Sequence, residues 1–259
     1  MGCVGKDHFG SELRKAAEAD GLTVHYLEDE ATPTGTCSVL LTWHNRSLVA
    51  NLAAANNYKA SHTRELIQNN FFETTKFFYI TGFFLTVSPE TIMLIAEYSM
   101  NTKKTFCMNL SAPFICQFFL DPLLKALEYV DLLFGNESEA LALAESLKWE
   151  TKDIKEIALK IASFPKKTNS PRRVVITQGA DPVIFAENGT VTEYPVPVIP
   201  STEIIDTNGG GDAFVGGFLS QLVQDKPIDS CINAGNYVAG IIIRRSGISF
   251  PANTTHPSF

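Results

Sequence analysis

The sequence predicts an α/β fold, with a mainly parallel sheet between two helical layers and a small β lid. From residue 77 onward, short apolar segments alternate with longer amphipathic ones, and this order is typical of βαβ crossovers. Residues 24–51 differ, because they contain short strand-like segments joined by tight polar turns. Hydrophobic residues make up 45% of the 259 positions and charged residues 19%, a composition that builds a core and argues against disorder.

Local patterns predict each element in chain order. The predicted lid strands are residues 24–27, 35–42 and 46–50. The predicted strands of the main sheet are residues 77–81, 105–110, 131–135 and 173–177, followed by a hairpin at 183–194. The predicted helices are residues 88–100, 113–129 (in two pieces broken near Asp121), 136–147, 151–164, 211–223 and 228–244. Ser88, followed by Pro89 and Glu90, is typical of a helix start.

This order assigns residues 1–23 and 52–259 to the α/β domain and residues 24–51 to the lid. In sheets of this kind, ligands bind at the carboxyl ends of the strands. We therefore expect the functional residues in the loops after Leu110, Gly135, Thr177 and Ile205.

Charge and cysteine content narrow the classes of function. The net charge of −7 argues against broad nucleic-acid binding, which depends on Lys and Arg, but allows a phosphate held by backbone amides. The longest apolar run, residues 77–87, is too short to span a bilayer as a helix and contains Gly82. Five scattered cysteines without a Cys-x-x-Cys pair predict neither zinc nor disulfides. We expect a cytoplasmic protein without a membrane partner.

The most informative stretch is residues 203–218, where Gly209, Gly210 and Gly211 precede a predicted helix. Three glycines let the backbone turn its N–H groups toward one point, where the positive end of the helix dipole also lies. This arrangement predicts an anion hole for a transferring phosphoryl group. Asp212 follows in the first turn, where a carboxylate can accept a proton from an attacking hydroxyl.

The alternative is an ordinary helix start, with flexible glycines and with Asp212 interacting only with the helix dipole. Other phosphate motifs do not fit. The chain has no Gly-x-x-x-x-Gly-Lys-Ser/Thr, which excludes a P-loop. Phe214 occupies the third glycine position of the dinucleotide-binding spacing.

Residues 206–218 read Asp-Thr-Asn-Gly-Gly-Gly-Asp-Ala-Phe-Val-Gly-Gly-Phe and resemble the second signature of the ribokinase-type (PfkB) carbohydrate and nucleoside kinases. Further matching stretches are residues 33–37, 45–48, 51–56, 82–90, 109–114, 134–137, 177–179 and 242–245. The resemblance implies a ribokinase-like fold and, on the nucleoside branch, Mg²⁺-dependent transfer of the γ-phosphate of ATP to the 5′-hydroxyl of adenosine, giving AMP.

The resemblance also implies roles for individual residues. Asp212 is the base, and the amides of Gly209, Gly210 and Gly211 hold the developing charge, although most relatives carry alanine at the middle glycine. Asn136 and Glu139 match an Asn-x-x-Glu pattern that orients Mg²⁺ and phosphates largely through water. The same pattern is also a helix capping box, and both roles are compatible.

Other matching positions concern the substrates. Arg46 matches a lid arginine that clamps the transferring phosphate, with a solvated turn residue as the alternative. The ATP-binding positions are Thr177, Gly179 and Asn208. The positions that line the nucleoside pocket are Cys37, Leu48, Ala50, Phe84 and Phe114, although an apolar residue taken alone is more often an ordinary core residue.

The sequence departs from the family pattern in three places. Asn236 stands where relatives often carry a histidine near the ATP adenine, and Ser201 where a glutamine is common. The family's N-terminal strands, with a Gly-x-Gly-Asn-x-x-x-Asp stretch whose Asp grips the ribose, have no counterpart before Gly2. We therefore expect this chain to be weakly active or inactive.

Two alternative functions follow from these departures. The first is a non-catalytic nucleotide-binding remnant or partner of a full-length kinase. The second is a kinase for another nucleoside or a sugar. We expect a monomer that does not bind nucleic acid and is located in the cytoplasm, with the nucleus as a second location.

Overall fold

The computed structural model describes residues 1–42, 45–251 and 254, and at residues 41, 42, 45 and 46 it describes only the backbone. The strands are β1 (Gly2–Gly5), β2 (Tyr26–Asp29), β3 (Thr36–Thr42), β4 (Asn45–Asn51), β5 (Phe77–Thr81), β6 (Thr105–Asn109), β7 (Leu132–Asn136), β8 (Arg173–Gln178), β9 (Asp181–Glu187) and β10 (Thr190–Tyr194). The helices are α1 (His8–Ala19), α2 (Ala60–Gln68), α3 (Pro89–Asn101), α4 (Pro113–Phe118), α5 (Leu120–Leu127), α6 (Glu137–Ser146), α7 (Ile154–Ala162), α8 (Gly210–Leu222) and α9 (Ile228–Ile242).

The main sheet has the strand order β10-β9-β8-β7-β6-β5 among the described residues. Strands β5 to β8 are parallel, and β8, β9 and β10 pair antiparallel. The carboxyl ends of the four parallel strands therefore meet at one edge of the sheet. Thr81 pairs with Asn109, and Asn136 pairs with Thr177, so residues distant in sequence become neighbours at this edge.

Two apolar clusters cover the faces of this sheet. One joins alternate strand residues such as Phe106 and Met108 to apolar residues of helices α3 to α7. The other joins Cys107 and Phe134 to apolar residues of α8 and α9 such as Phe218. Because side chains alternate across a strand, Phe106 and Cys107 serve opposite layers. The predicted three-layer α/β/α class is confirmed.

The first third of the chain contains two small sheets. Strand β1 pairs parallel with β2, while β3 and β4 form an antiparallel hairpin. Thr34 connects the β1–β2 sheet to the chain leading into the hairpin, because its Oγ1 accepts from the Gly5 N–H at 2.9 Å and donates to Asp7 at 2.6 Å. The β3–β4 hairpin is the part that corresponds to the predicted lid, and the division into domains stays a prediction.

The helix break predicted near Asp121 lies two residues earlier, at Phe119, between α4 and α5. Pro122 is instead inside the first turn of α5. At that position the missing N–H of proline leaves no intrahelical hydrogen bond unmade, so the helix tolerates it.

Candidate active site

The start of α8 forms the centre of the candidate site. Gly209 is the residue that caps this helix, and its φ of 75° lies in the left-handed region. A Cβ there would come within 2.7 Å of the Ile248 Cγ2, so both backbone conformation and space favour glycine. Gly210 and Gly211 form the first turn, where backbone N–H groups lack partners inside the helix and the helix dipole favours an anion. The Gly210 N–H makes a long hydrogen bond of 3.3 Å to the Thr207 carbonyl oxygen, just before the helix.

A loop held by hydrogen bonds leads into this helix. Asp206 is buried at 7% exposure, and its Oδ1 accepts from the Asn208 N–H at 2.8 Å. The N–H groups of Ile205 and Asp206 both donate to the carbonyl oxygen of Ile243, at 2.9 and 3.2 Å. These bonds fix the loop to the C-terminal end of α9 and so determine where the glycines lie.

Asp212 is exposed to solvent on the first turn of α8. Its charge helps to raise the pKa of both Glu139, at the start of α6, and Tyr79, on β5. Asp212 is therefore within electrostatic reach of a residue on β5 and of one at the start of α6. A base that must meet an incoming hydroxyl needs this accessibility.

Asn136 and Glu139 form a complete capping box. The Asn136 Oδ1 accepts from the Glu139 N–H at 2.9 Å, and Glu139 accepts from the Asn136 N–H at 3.0 Å and from its Nδ2 at 2.9 Å. Glu139 is only 5% exposed, and burial, followed by the charge of Asp212, raises its pKa against the opposing Asn136 N–H. The capping alternative is confirmed, and the role of the pair toward Mg²⁺ stays a prediction.

A cavity of about 280 Å³ adjoins the glycine turn. Thr177 and Gly179 line one side, at the carboxyl end of β8, and Gly210 and Gly211 line the other. Four of the residues predicted to bind ATP or its phosphates are therefore brought together. Asn208 is adjacent in the chain but does not line the cavity.

Sequence analysis did not identify the apolar walls of this cavity. The walls come from residues 196–204, from Val183 on β9 and from Ala239, Gly240 and Ile243 on α9. Asn236 also lines the cavity, and its Nδ2 is buried without a hydrogen-bond partner among the described residues. A larger cavity of about 690 Å³ opens at the opposite, amino end of the strands, where Lys104 and Arg173 line it away from the predicted site.

The predicted nucleoside-binding residues form two groups. Cys37 pairs with Ala50, and Leu48 pairs with Val39 in the same hairpin register, so Cys37, Leu48 and Ala50 share one face of the β3–β4 hairpin. Phe84 instead packs edge-on against Tyr58, with ring centroids 5.2 Å apart.

Phe114 and Arg46 are the remaining predicted positions. Phe114 is 42% exposed, and its ring centroid lies 6.1 Å from that of Phe83. Arg46 belongs to β4, but its side chain lies outside what the structure describes.

Burial also excludes most cysteines from nucleophilic chemistry. It raises the pKa of Cys107 and Cys116 to about 12 and that of Cys231 to about 11, so these thiols stay protonated. No group of three or more His, Cys, Asp or Glu side chains suited to a metal ion occurs within the described residues. In the same part of the chain, no helix combines the length and apolar character needed to cross a bilayer.

Comparison with known proteins shows the family to which this chain belongs. The model of the pfkB family of carbohydrate kinases matches residues 1–255, and the chain therefore belongs to that family. It is 52% identical over 252 residues to adenosine kinase 2 of Arabidopsis thaliana, a match that covers 97% of this chain and 73% of the relative. The adenosine kinase of Schizosaccharomyces pombe is 43% identical over 253 residues, with 96% and 74% covered.

A solved structure of an adenosine kinase also resembles this chain. Anopheles gambiae adenosine kinase, in complex with P1,P4-di(adenosine-5) tetraphosphate, matches with a TM-score of 0.92 and 45% identity, covering 97% of this chain and 75% of that one. The family resemblance noted in the sequence is confirmed.

Proposed function

We propose that this protein is an ATP-dependent nucleoside kinase that transfers the γ-phosphoryl group of ATP to the 5′-hydroxyl of adenosine, giving AMP and ADP. The observation that carries this proposal is the glycine-lined start of α8, which opens onto the cavity that Thr177 and Gly179 also line. Relatives that are 52% identical over nearly the whole chain are adenosine kinases, which favours adenosine over a sugar as the acceptor.

The chain's own groups supply the chemistry of this transfer. Asp212 accepts the proton of the 5′-hydroxyl, whose oxygen then forms a bond to the γ-phosphorus. The bond between that phosphorus and the oxygen bridging to the β-phosphate breaks, and ADP leaves. The N–H groups of Gly209, Gly210 and Gly211 stabilise the negative charge on the equatorial oxygens, because they lie at the positive end of α8.

The donor groups fit a Mg²⁺ ion that is bound mainly by phosphates. Mg²⁺ keeps several waters and commonly binds proteins through only one or two carboxylates together with substrate phosphates. Glu139 and Asp212 are the two carboxylates at this edge whose charges influence each other, and both oxygens of Glu139 already accept hydrogen bonds from Asn136. Glu139 would therefore hold the ion through water, and the ion would neutralise phosphate charge.

The remaining predicted residues complete the substrate sites. Cys37, Leu48 and Ala50 present one face of the β3–β4 hairpin to the nucleoside, with Phe84 and Phe114 on the α/β side. We assign Arg46 to the transferring phosphate, and Thr177, Gly179, Asn136 and Asn208 to ATP. Aliphatic and aromatic surfaces suit an adenine ring.

Solution properties are also part of the proposal. Cys3, Cys37, Cys107, Cys116 and Cys231 are free thiols, which suits a reducing compartment such as the cytoplasm. We further propose that the chain acts as a monomer.

The test measures AMP formation by the purified 259-residue chain with adenosine and Mg-ATP. We expect Asp212→Asn to lower kcat by roughly 10²- to 10⁴-fold, because general-base catalysis is lost, while ATP binding stays the same. Asp229→Asn is the matched control, since Asp229 occupies the first turn of α9 and that helix begins at the end of the molecule opposite the glycine turn.

The outcome distinguishes the enzyme from the non-catalytic alternative. ATP binding without AMP formation in the unmodified chain would favour the nucleotide-binding remnant. Equal turnover by the unmodified chain and Asp212→Asn would remove Asp212 from the mechanism.

A further inference from the structure

Tyr79 carries a buried polar group that the proposed mechanism does not yet use. Its hydroxyl oxygen is buried and has no hydrogen-bond partner among the described residues. Tyr79 lies on the sheet face covered by α8 and packs edge-on against Phe134 of β7, with ring centroids 6.3 Å apart. Buried hydroxyls without a partner are rare and costly in native proteins, so this one calls for a ligand or a moving partner.

The surroundings of this hydroxyl belong to the candidate active site. Burial, with smaller contributions from the charges of Asp212 and Glu139, raises the pKa of Tyr79 to about 12. The Asn109 side chain opposes this shift from nearby, but its geometry does not make it a hydrogen-bond partner of the hydroxyl. The phenol therefore keeps its proton at physiological pH and acts as a hydrogen-bond donor toward a carboxylate.

Glu139 is the less suitable of the two carboxylate partners. Its Oε1 and Oε2 already accept from the Nδ2 and the N–H of Asn136, at 2.9 and 3.0 Å. Asp212 lies on the first turn of α8, and α8 packs on the same ring as Tyr79, because the centroids of Phe218 and Phe134 are 5.2 Å apart. Tyr79 and the helix that carries Asp212 therefore contact the same ring, that of Phe134.

We propose that Tyr79 is a positioning residue whose hydroxyl donates a hydrogen bond to the Asp212 carboxylate when both substrates are bound. This inference rests on the proposed function. The bond holds one oxygen of Asp212 toward the sheet and leaves the other to face the acceptor hydroxyl. Tyr79 itself touches neither substrate.

Tyr79→Phe tests this role in the full chain. We expect kcat for AMP formation to fall about tenfold or more, as for the loss of a hydrogen bond to a charged group, with both KM values within twofold. The melting temperature stays equal or rises, since the variant removes an unpaired buried hydroxyl. Tyr98→Phe is the control, because Tyr98 packs with Phe72 and Phe78 in the cluster on the other side of the sheet.

A double-mutant cycle separates positioning from a general structural effect. If Tyr79 acts through Asp212, adding Tyr79→Phe to Asp212→Asn causes no further loss of the residual rate. Unchanged kcat in Tyr79→Phe, or a full additional loss in the double variant, would overturn the proposal.

A spectroscopic measurement tests the contact without turnover. With 3-fluorotyrosine at position 79, and with adenosine, Mg²⁺ and an ATP analogue whose γ-phosphoryl group cannot be transferred, we expect the ¹⁹F resonance to shift on Asp212→Asn, while the same label at position 98 does not. No shift at position 79 would overturn the proposal. This result stands even if the chain forms no AMP, so failure of the contact and failure of the proposed function are distinguishable.

Discussion

Replacing Gly209 by alanine tests the anion hole most directly. The φ of 75° places this residue in the left-handed region, which costs a residue with a Cβ roughly 1–2 kcal/mol. The new Cβ would also meet the Ile248 Cγ2 at 2.7 Å. Ile248 is 69% exposed and can move, so the free energy of unfolding should fall by no more than about 2 kcal/mol, equivalent to roughly 2–4 °C per kcal/mol in melting temperature.

The same substitution should lower kcat far more than stability. The first-turn amides must point at the equatorial phosphate oxygens, and losing one such donor costs about 10²- to 10³-fold. For Gly209→Ala we expect a loss of kcat near the lower end of this range, because the substitution displaces the backbone N–H groups of the glycine turn and does not remove them.

Gly189→Ala is a matched control. Gly189 has the same φ of 75° and no atom within 4 Å of its would-be Cβ, and it lies in the turn between β9 and β10. Urea unfolding of both variants measures the cost of backbone strain. Steady-state kinetics of both variants measure the effect of misaligned N–H groups at the glycine turn. Loss of kcat in Gly189→Ala, or kcat within twofold of the unmodified chain in Gly209→Ala, would refute the reasoning.

Two further predictions concern buried charged side chains. As pH rises above about 4.5, the ordinary pKa of a glutamate, we expect the stability of the unmodified chain to fall relative to that of Glu139→Gln. The raised pKa of Glu139 means that the folded state binds this proton more tightly than the unfolded state does, so the unmodified chain loses stability as pH rises through that pKa. Melting temperatures measured against pH test this, and parallel curves for the two chains would contradict it. Arg172→Met should lower the free energy of unfolding by several kcal/mol, because leaving a buried acceptor without its donor costs roughly 1–3 kcal/mol. The guanidinium donates to five buried or half-buried carbonyl oxygens, those of Leu127, Val130, Ile161, Phe164 and Pro165. Urea unfolding measures the loss, and an unchanged midpoint would show that these bonds contribute little.

The central sheet could be predicted from sequence because its strands are buried on both faces. β7 is a continuous apolar run in which Leu132, Leu133 and Phe134 are all buried, and such runs between helices are typical of parallel sheets. The hairpin at β9 and β10 follows from Asn188 and Gly189, a residue pair that favours tight turns.

The first helices gave weaker signals. α1 buries only Gly10 among its residues, so it lacks the apolar stripe that identifies a helix in a sequence. Its start does have an N-cap, because the Asp7 side chain accepts from the Gly10 N–H at 2.9 Å, but an aspartate alone did not predict a helix there. α2 has no side-chain cap at Lys59, and its start left no such signal.

The candidate site was only partly predictable for a different reason. Its polar residues occur in motifs with fixed spacing, which one sequence can display. The apolar walls of the 280 Å³ cavity come from β9, from α9 and from residues 196–204, which approach one another only through tertiary packing. Apolar residues in these positions look the same in sequence as ordinary core residues.

The difference in burial between Glu139 and Asp212 explains why only one of them suits the role of base. Glu139 is 5% exposed and both its oxygens accept hydrogen bonds from Asn136, so it has little freedom to receive a proton from a substrate. Asp212 is exposed on the first turn of a helix whose preceding glycine turn faces the cavity. An exposed carboxylate on this turn can approach a substrate hydroxyl and accept its proton. In the proposed mechanism the two acids therefore have different roles: Glu139 caps the start of α6, and Asp212 meets the acceptor hydroxyl.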